Sequence, residues 1–398
     1  MDALQTQTDC LLAYQSVRDN SLQLIAPLSA EDCGLQAAPF VSPAKWHLAH
    51  TTWFFETFIL LKHAPSYQAY NAQFQVLFNS YYNGIGEQFP RPQRHLLSRP
   101  SLDEILAYRR YVDEAMHTFL LDGAESSLED LVILGINHEQ QHQELLLMDL
   151  KYSFYQNTTY PAYNSKQIAP DDQTITPLKY HGFNGGLFEV GASGRGFHFD
   201  NEEPAHQTYL TDFACADRLI TNGEFLQFIE DGGYSNAHLW LSDGWAWVNQ
   251  SQAKQPLYWI KQQGQWMEFG LNGLKPMNPY APVIHVNFYE AYAYAQWADA
   301  RLLNEFEWEV AAAHGGGLSQ MMNVAWQWTQ SSYQPYPGFK APQGAVGEYN
   351  GKFMYNQMVL RGGCELTPTH HARVTYRNFF YPQDQWPMTG IRLAKDVL

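Results

Sequence analysis

Two histidines four residues apart form the most reactive pattern in the chain. Residues 138–142 read H-E-Q-Q-H within a segment of helical periodicity. Side chains at positions i and i+4 lie one above the other on a helix, so His138 and His142 can reach one metal ion. The pattern is typical of zinc proteases, in which Glu139 would be the general base. A zinc protease needs a third ligand after that helix, however, and no histidine follows until His181.

A second pair of histidines, His47 and His50, lies upstream. They are one turn apart on another predicted helix, so either one could complete a face of three imidazoles. Neutral imidazoles bind iron or copper as readily as zinc, so these ligands do not determine which metal is bound. The alternative is that the histidines are ordinary core residues. A three-histidine face would leave positions for substrate and oxygen, which a zinc protease does not require.

The composition limits the class of partner. Lys and Arg number 24 against 40 Asp and Glu, which gives a net charge of −16. This balance argues against nucleic acid or an anionic membrane as a partner and fits small polar substrates better. No apolar run reaches the roughly eighteen residues of a membrane span, and no secretory signal is visible. The four cysteines are scattered, which is typical of reduced thiols, so we expect a cytoplasmic protein.

Helical periodicity extends over residues 1–157. The segments that carry it are those around Leu11–Leu12, 49–61, 101–121 and 128–155. Four helices of this length predict an up-down bundle, in which metal sites are built from the side chains of facing helices. Ser101 and Glu104 have the spacing of a capping box at the start of one of these helices.

The sequence pattern of the chain changes after a polar stretch. Residues 158–180 are rich in Pro, Asn, Thr and Asp and are predicted to be a linker. Beyond it, residues 181–398 consist of short segments broken by Gly, Trp, Tyr and Pro, with one clear helix predicted over 289–300. The predicted fold class is therefore α+β multidomain, with a helical bundle followed by an irregular α+β domain.

Motifs in both halves resemble one enzyme family. The motifs in chain order are WHLAHTTWFFE at 46–56, HEQQHQE at 138–144, GGLFEVG at 185–191, PVIHVNFYEA at 282–291, RLLNEFEWE at 301–309, RGG at 361–363, TYRNFF at 375–380 and GIRLA at 390–394. Their collinear order resembles the ergothioneine sulfoxide synthases, which are nonheme iron enzymes. The resemblance implies a DinB-like four-helix bundle fused to a formylglycine-generating-enzyme-like domain of the C-type-lectin type.

The resemblance also implies a chemistry. His50, rather than His47, would join His138 and His142 as ligands of Fe(II), and Glu139 would support the bundle instead of acting as a base. A thiol and O2 would meet at the iron, and the imidazole C2 of hercynine (Nα-trimethylhistidine) would be sulfurised with S-oxidation. The small-molecule partners implied are hercynine, a thiol donor and O2.

Further site residues are assigned from the resemblance. Residues 78–84 read FNSYYNG, which resembles the branch of the family that uses free cysteine, so Tyr81 and Tyr82 are candidates for transferring a proton or hydrogen atom. The remaining candidates bind substrate: Arg91 and Arg94 the carboxylate of the donor, and Gln141, Asn378, Phe379 and Phe380 the hercynine. Aromatic rings suit hercynine because its quaternary ammonium cannot donate a hydrogen bond.

Three departures from the family pattern concern the substrates. The chain has CELTP at 364–368 where relatives have SCATP, Tyr381 where Pro is usual, and His95 where Gly is usual. The resemblance implies cysteine or γ-glutamylcysteine as the donor. Because the three departures lie in segments expected near the substrates, a selenium donor, or unmethylated histidine as acceptor, stays open as an alternative within the family. A zinc metalloprotease, a formylglycine-generating enzyme and a lectin-like binding module are the alternatives outside it.

Overall fold

The chain folds into two compact units, which we describe from a computed structural model. The structure describes residues 3–122, 126–164, 177–194, 196–343, 347 and 350–397. The helical unit comprises Met1–Asn164 with Pro342–Tyr349, and the α+β unit comprises Ser165–Ala341 with Asn350–Leu398. Much of the predicted linker falls on residues 165–176, which lie outside the described residues. The domain boundaries at 157 and 181 therefore remain predictions.

Four long helices dominate the helical unit. The helices of this unit are α1 (Ala3–Ile25), α2 (Ala30–Cys33), α3 (Ala44–Phe55), α4 (Leu61–His63), α5 (Phe74–Leu77), α6 (Leu102–Leu121) and α7 (Ser126–Tyr155), with a 3-10 helix at Arg91–Leu96. Both α1 and α3 pack against α6 and α7. No helix in the described part of the chain is both long and apolar enough to cross a membrane.

Helix α3 is almost entirely buried. Every one of its residues except Lys45 is buried, because neighbouring helices cover it. After Phe55 the helix continues as a π-helical turn, Glu56–Leu60. The buried carboxylate of Glu56 accepts hydrogen bonds from the hydroxyls of Tyr67 (2.7 Å) and Tyr108 (2.6 Å). This widened turn therefore has satisfied polar groups in the core.

The predicted capping box at the start of α6 is confirmed. The backbone N–H of Glu104 donates to Ser101 Oγ (3.3 Å), and the N–H of Ser101 donates to the Glu104 carboxylate (2.8 Å). Two N–H groups that lack helical partners are thereby satisfied, which explains why the helix begins at this point.

The α+β unit contains four small sheets, four α-helices and several short 3-10 helices among its described residues. Its strands are β1 (Tyr180–Phe183), β2 (Gly186–Val190), β3 (His206–Leu210), β4 (Phe213–Ala216), β5 (Trp259–Gln262), β6 (Gln265–Gly270), β7 (Gly273–Pro276), β8 (Arg301–Leu302), β9 (Trp326–Ser332), β10 (Met358–Arg361), β11 (Asn378–Phe380), β12 (Thr389–Gly390) and β13 (Leu393–Asp396). Its helices are α8 (Asn222–Glu230), α9 (Ser242–Ser251), α10 (Phe288–Trp297) and α11 (Glu305–His314). The sheet orders are β1-β4-β13-β8, β11-β10-β9-β12, β2-β3 and β5-β6-β7.

The core of the α+β unit lies around α11. Trp308 and Val310 of α11 pack with Phe213 in one buried cluster. Two buried ion pairs hold this helix in place: Glu305 pairs with Arg377, the residue before β11, at 2.8 Å, and Glu309 pairs with Arg361 of β10. A helical unit and an α+β unit of small sheets confirm the predicted fold class. The helix predicted over 289–300 is α10, which begins one residue earlier and ends at Trp297.

Candidate metal centre

Three histidines from two facing helices converge in the helical unit. His50 lies on α3, and His138 and His142 lie one turn apart on α7. One ring nitrogen from each lies within 4.8 Å of the others. The ring centroids are separated by 4.9 Å (His50–His138), 4.7 Å (His50–His142) and 4.6 Å (His138–His142). Three nitrogen donors at the corners of a triangle could hold one metal ion.

The ring of His50 is held in position on both faces and at one edge. Its Nδ1 lies 2.6 Å from the carbonyl oxygen of Phe78, and because a carbonyl only accepts, Nδ1 carries the proton. Trp46 stacks on the ring at 4.7 Å and Trp53 at 5.6 Å, with interplanar angles of 11° and 15°. Its Nε2 is buried without a hydrogen-bond partner in the part of the chain that the structure describes. A buried lone pair in this position fits a metal ligand.

All three imidazoles are neutral at physiological pH. Burial lowers the pKa of His138 to about 3, and it lowers the pKa of His50 and of His142 well below the ordinary value of 6.5. Repulsion among the neighbouring histidines adds to the effect at His50 and His142. Because only an unprotonated imidazole binds a metal, the residues present fit a metal ion with a preference for nitrogen ligands.

His47 is close to the three histidines, but its own nitrogens contact other groups. Its Nδ1 lies 2.8 Å from Nδ1 of His142, and its Nε2 lies 3.0 Å from the carboxylate of Asp149. Of the two histidines in the first motif, the structure therefore places His50 with His138 and His142.

Glu139 forms its hydrogen bonds with α1 and α6 rather than with the three histidines. Its carboxylate accepts hydrogen bonds from Arg18 of α1 (2.8 Å), Arg109 of α6 (2.5 Å) and Ser21 (2.5 Å). Burial alone would raise the pKa of this carboxyl, but the guanidiniums of Arg109 and Arg18 outweigh burial and hold the pKa at about 2. The carboxylate thus links three helices, and it lacks the orientation of a general base for a metal-bound water.

The tyrosine pair is carried by a short loop whose backbone also contacts His50. Asn79 is buried, and its side chain bonds both the N–H (3.1 Å) and the carbonyl (3.0 Å) of Tyr82. The ring of Tyr82 is fully buried and packs at 5.6 Å from Trp53, and Tyr81 stacks on it at 4.6 Å. The pair is therefore one aromatic ring removed from His50, since Trp53 lies between them.

The two predicted arginines differ in their environments. Arg94 is buried, with its guanidinium 3.3 Å from the centre of the Trp46 ring and bonded to Ser42 (2.8 Å) and Ser80 (3.2 Å). No carboxylate of the described chain forms an ion pair with it. Arg91 is exposed and donates to the carbonyl of Phe40.

The predicted hercynine contacts are distributed over both units. Gln141 is half-buried on α7 in the helical unit. Asn378, Phe379 and Phe380 form β11 of the α+β unit, and all three are partly exposed. Phe379 stacks on Tyr333 at 4.1 Å, so one of its faces is already covered. The structure describes each unit by itself, and these assignments remain predictions.

Several groups that contact or support the histidines were not predicted from the sequence. The carbonyl of Phe78 and the ring of Trp46 contact His50, Asn79 orders the tyrosine loop, and Asp149 contacts His47. Two of these groups had a signal in the sequence: Trp46 precedes His50 by four residues on α3, and Asp149 follows His142 by seven residues on α7, so each recurs on the face of its histidine.

Comparisons with known proteins account for both units. Residues 13–146 match the family model of the DinB superfamily. Residues 168–322 and 316–397 match that of the Sulfatase-modifying factor enzyme 1-like domain.

Proteins with similar sequences include two hercynine oxygenases. That of Mycobacterium tuberculosis is 28% identical over 98% of this chain and 99% of that protein. That of Mycolicibacterium thermoresistibile is 27% identical over 96% of this chain and 93% of that protein. The formylglycine-generating enzyme of Streptomyces coelicolor is 36% identical, but over only 34% of this chain and 46% of that protein. The chain therefore belongs to the sulfatase-modifying factor enzyme 1-like family, and its similarity to hercynine oxygenases extends over that domain and the DinB-type bundle that precedes it.

Proposed function

We propose that this protein is a nonheme Fe(II)- and O2-dependent sulfoxide synthase that joins the sulfur of a small thiol to the imidazole C2 of hercynine. One observation carries the proposal: three neutral imidazoles converge in a chain that aligns over nearly its whole length with hercynine oxygenases. The similarity to a formylglycine-generating enzyme covers only 34% of the chain.

The proposed reaction consumes one O2 for each pair of substrates. The S–H bond of the thiol and the C2–H bond of hercynine break, and a C–S bond forms. One oxygen atom becomes the sulfoxide oxygen, and the other leaves as water with the two hydrogens. Sulfur and carbon together lose the four electrons that reduce O2, so no further reductant is needed.

The residues of the helical unit would create the site for this reaction. His50, His138 and His142 would hold the iron through three neutral nitrogens and leave the remaining positions for substrate and oxygen. Bound Fe(II) would supply the redox chemistry that couples dioxygen to the thiol sulfur. Tyr81 or Tyr82 would then deliver a proton or hydrogen atom, a role that phenols can fill within hydrogen-bond reach.

Phenylalanine at each tyrosine would separate this role from packing, because it keeps the ring and removes only the hydroxyl. At the functional position, we expect iron and substrate affinity to persist while sulfoxide formation falls and simple thiol oxidation increases. The ratio of the two products by mass spectrometry is the measurement. Parent ratios in both Tyr81→Phe and Tyr82→Phe would remove the tyrosines from the mechanism.

A carboxylate on the thiol donor would suit the buried cation of Arg94. Desolvation lowers the pKa of Arg94 well below its ordinary value, and the exposed Arg91 adds repulsion. A guanidinium with hydroxyl partners and no ion pair among the described residues can gain from an anionic ligand. Cysteine and γ-glutamylcysteine both provide that carboxylate.

The acceptor would be held by aromatic and amide groups. We propose Phe379 and Phe380 for the trimethylammonium group and Asn378, together with Gln141, for the imidazole. Unmethylated histidine would lack the diffuse cation that favours aromatic rings. A selenium analogue of the donor would need the same imidazole acceptor, so donor and acceptor must be varied separately.

An anaerobic reconstitution tests the proposal. The protein is loaded with Fe(II), given hercynine with either cysteine or γ-glutamylcysteine, and then exposed to O2, and products are identified by mass spectrometry. Parallel reactions contain histidine in place of hercynine or a selenol in place of the thiol. We expect a hercynine-thiol sulfoxide and stoichiometric loss of O2. Preferential consumption of histidine, or no O2 consumption with any pair, would overturn the proposal.

A further inference from the structure

Three side chains form a hydrogen-bonded line that ends at one of the proposed ligands. The Asp149 carboxylate contacts His47 Nε2 at 3.0 Å, and His47 Nδ1 contacts His142 Nδ1 at 2.8 Å. The same carboxylate oxygen accepts the backbone N–H of Ser42 at 2.7 Å. Asp149 and His47 are each at most 3% exposed, so water does not replace these contacts. We name this set of three side chains the Asp149–His47–His142 line.

Only one arrangement of protons satisfies this line with neutral imidazoles. Two ring nitrogens at hydrogen-bond distance must share one proton, which belongs either to His142 or to His47. If His47 held it at Nδ1, its Nε2 would present a lone pair to the carboxylate of Asp149, and two acceptors would face each other. The carboxylate therefore favours the proton of His47 at Nε2.

The position of the proton on His47 determines the tautomer of His142, one of the proposed metal ligands. With its proton at Nε2, His47 offers Nδ1 as an acceptor, and His142 must donate from its own Nδ1. The lone pair of neutral His142 then lies at Nε2, the nitrogen that is free to bind a metal. In the other arrangement His142 would carry its proton at Nε2 and could not bind a metal through that atom.

We propose that Asp149, acting through His47, sets the tautomer of His142 and so prepares this ring for metal binding. His47 is a positioning residue in this scheme, and the first histidine of the WHLAH motif has a role distinct from that of the second. His50 reaches the same state by a simpler route, because the carbonyl of Phe78 holds its proton at Nδ1. The inference rests on the proposed metal site and adds the means by which its ligands are oriented.

Two nearly isosteric substitutions of His47 provide the test. Asparagine places a carbonyl oxygen near the position of Nδ1 and can accept from His142, whereas leucine has a similar shape and no acceptor. The affinity of the full-length protein for Co(II) is measured by competition titration, and the ligand-field absorption of bound Co(II) is recorded. Ser153→Ala, a buried substitution one turn beyond Asp149 on α7, is the control. Thermal unfolding of the metal-free proteins identifies any variant that fails to fold.

We expect His47→Leu to weaken Co(II) binding about 10–100-fold and His47→Asn to recover most of that loss. Asp149→Leu should weaken binding in the parent protein but have little further effect in the His47→Asn background, because the carboxylate then has no histidine to orient. Equal affinity of His47→Leu and parent, or equally weak binding by both His47 variants, would overturn the inference while leaving the metal site in place. Failure of the parent to bind Co(II) or Fe(II) would overturn the proposed function as well.

Discussion

Two faces of α7 bury polar side chains in different states of charge. Toward α3, the helix presents His138 and His142 as neutral rings. Toward α1 and α6, it presents Glu139 as a charged group paired with Arg18 and Arg109. Residues 138 and 139 are neighbours in sequence, yet one belongs to a site without formal charge and the other to a network of full charges.

This difference shows why the H-E-x-x-H pattern does not determine a mechanism. Two histidines at i and i+4 share a face whatever the chemistry, but the role of the glutamate depends on the partners that adjacent helices supply. Here two guanidiniums hold the carboxylate ionised and turned away from the histidines. The carboxylate therefore contributes to the packing of the bundle, and the metal chemistry depends on the imidazoles alone.

The largest effect should come from the histidine face. Alanine at His50, His138 or His142 removes one of three nitrogen ligands, so we expect each variant to lose iron binding while the bundle remains folded. Iron content after reconstitution is the measurement, and the exposed His117→Ala on α6 is the control. Retention of iron by His50→Ala together with its loss in His47→Ala would show that the ligand assignment is wrong.

A substitution on the charged face of α7 should lower the stability of the folded protein. Glu139→Gln removes a buried charge and leaves two guanidiniums without it, so we expect a loss of about 3–5 kcal/mol in the free energy of unfolding. The folded fraction should bind iron with unchanged affinity. Denaturant titration gives the first quantity and metal titration the second, with the exposed Glu114→Gln on α6 expected within about 0.5 kcal/mol of the parent. A stable Glu139→Gln protein that had lost hydrolytic activity would instead favour the metalloprotease.

The two faces should also differ in their response to acid. His138 has a pKa of about 3 in the folded protein against 6.5 in the unfolded chain, so the unfolded chain binds its proton first. The contribution of neutral His138 to the free energy of unfolding is therefore fully present above about pH 6.5, and it is lost as the pH falls toward 3. Glu139 has a pKa of about 2 against 4.5, so its contribution declines only between about pH 4.5 and 2.

Metal-free protein should therefore lose stability from about pH 6.5 downward, and His138→Phe should flatten that slope above pH 4.5. Unfolding free energies measured across this range provide the comparison. Parallel curves for the parent and His138→Phe above pH 4.5 would show that this ring is not held neutral by burial.

The smallest effect should come from the position beside the ligands. Gln141 precedes His142 on α7 and is half-buried, so its loss should spare both metal and stability. We expect Gln141→Ala to raise only the Michaelis constant for hercynine, by the equivalent of about 1 kcal/mol for one hydrogen bond. An unchanged Michaelis constant for hercynine with a raised one for the thiol would reassign this residue to the donor.

Periodicity and spacing were sufficient to indicate the long helices and the common face of His138 and His142, although α3 covers Ala44–Phe55 where a helix over 49–61 was predicted. The 3.6-residue repeat indicated the long helices, and the capping box at Ser101 marked the start of one of them. The choice of His50 over His47 needed the family resemblance, because both histidines lie one turn apart and spacing alone does not separate them.

The groups that hold the site could not be predicted, because their partners are distant in sequence. His50 meets the carbonyl of Phe78 across 28 residues, and His47 meets Asp149 across 102 residues. The burial of Arg94 was likewise hidden, since a short loop rich in Pro and Arg is ordinarily exposed. Contacts of this kind depend on how helices pack, and no local pattern encodes them.

Dioxygen labelled with heavy oxygen tests most directly whether the three-histidine face is the centre of the oxygen chemistry. Fe(II)-loaded protein is supplied with hercynine and cysteine under the labelled gas, and the product is analysed by mass spectrometry. We expect a sulfoxide that carries one labelled oxygen atom, and we expect no such product from the His50→Ala protein. A product without label, or equal product from His50→Ala, would contradict the assignment of the three-histidine face as the centre of oxygen chemistry.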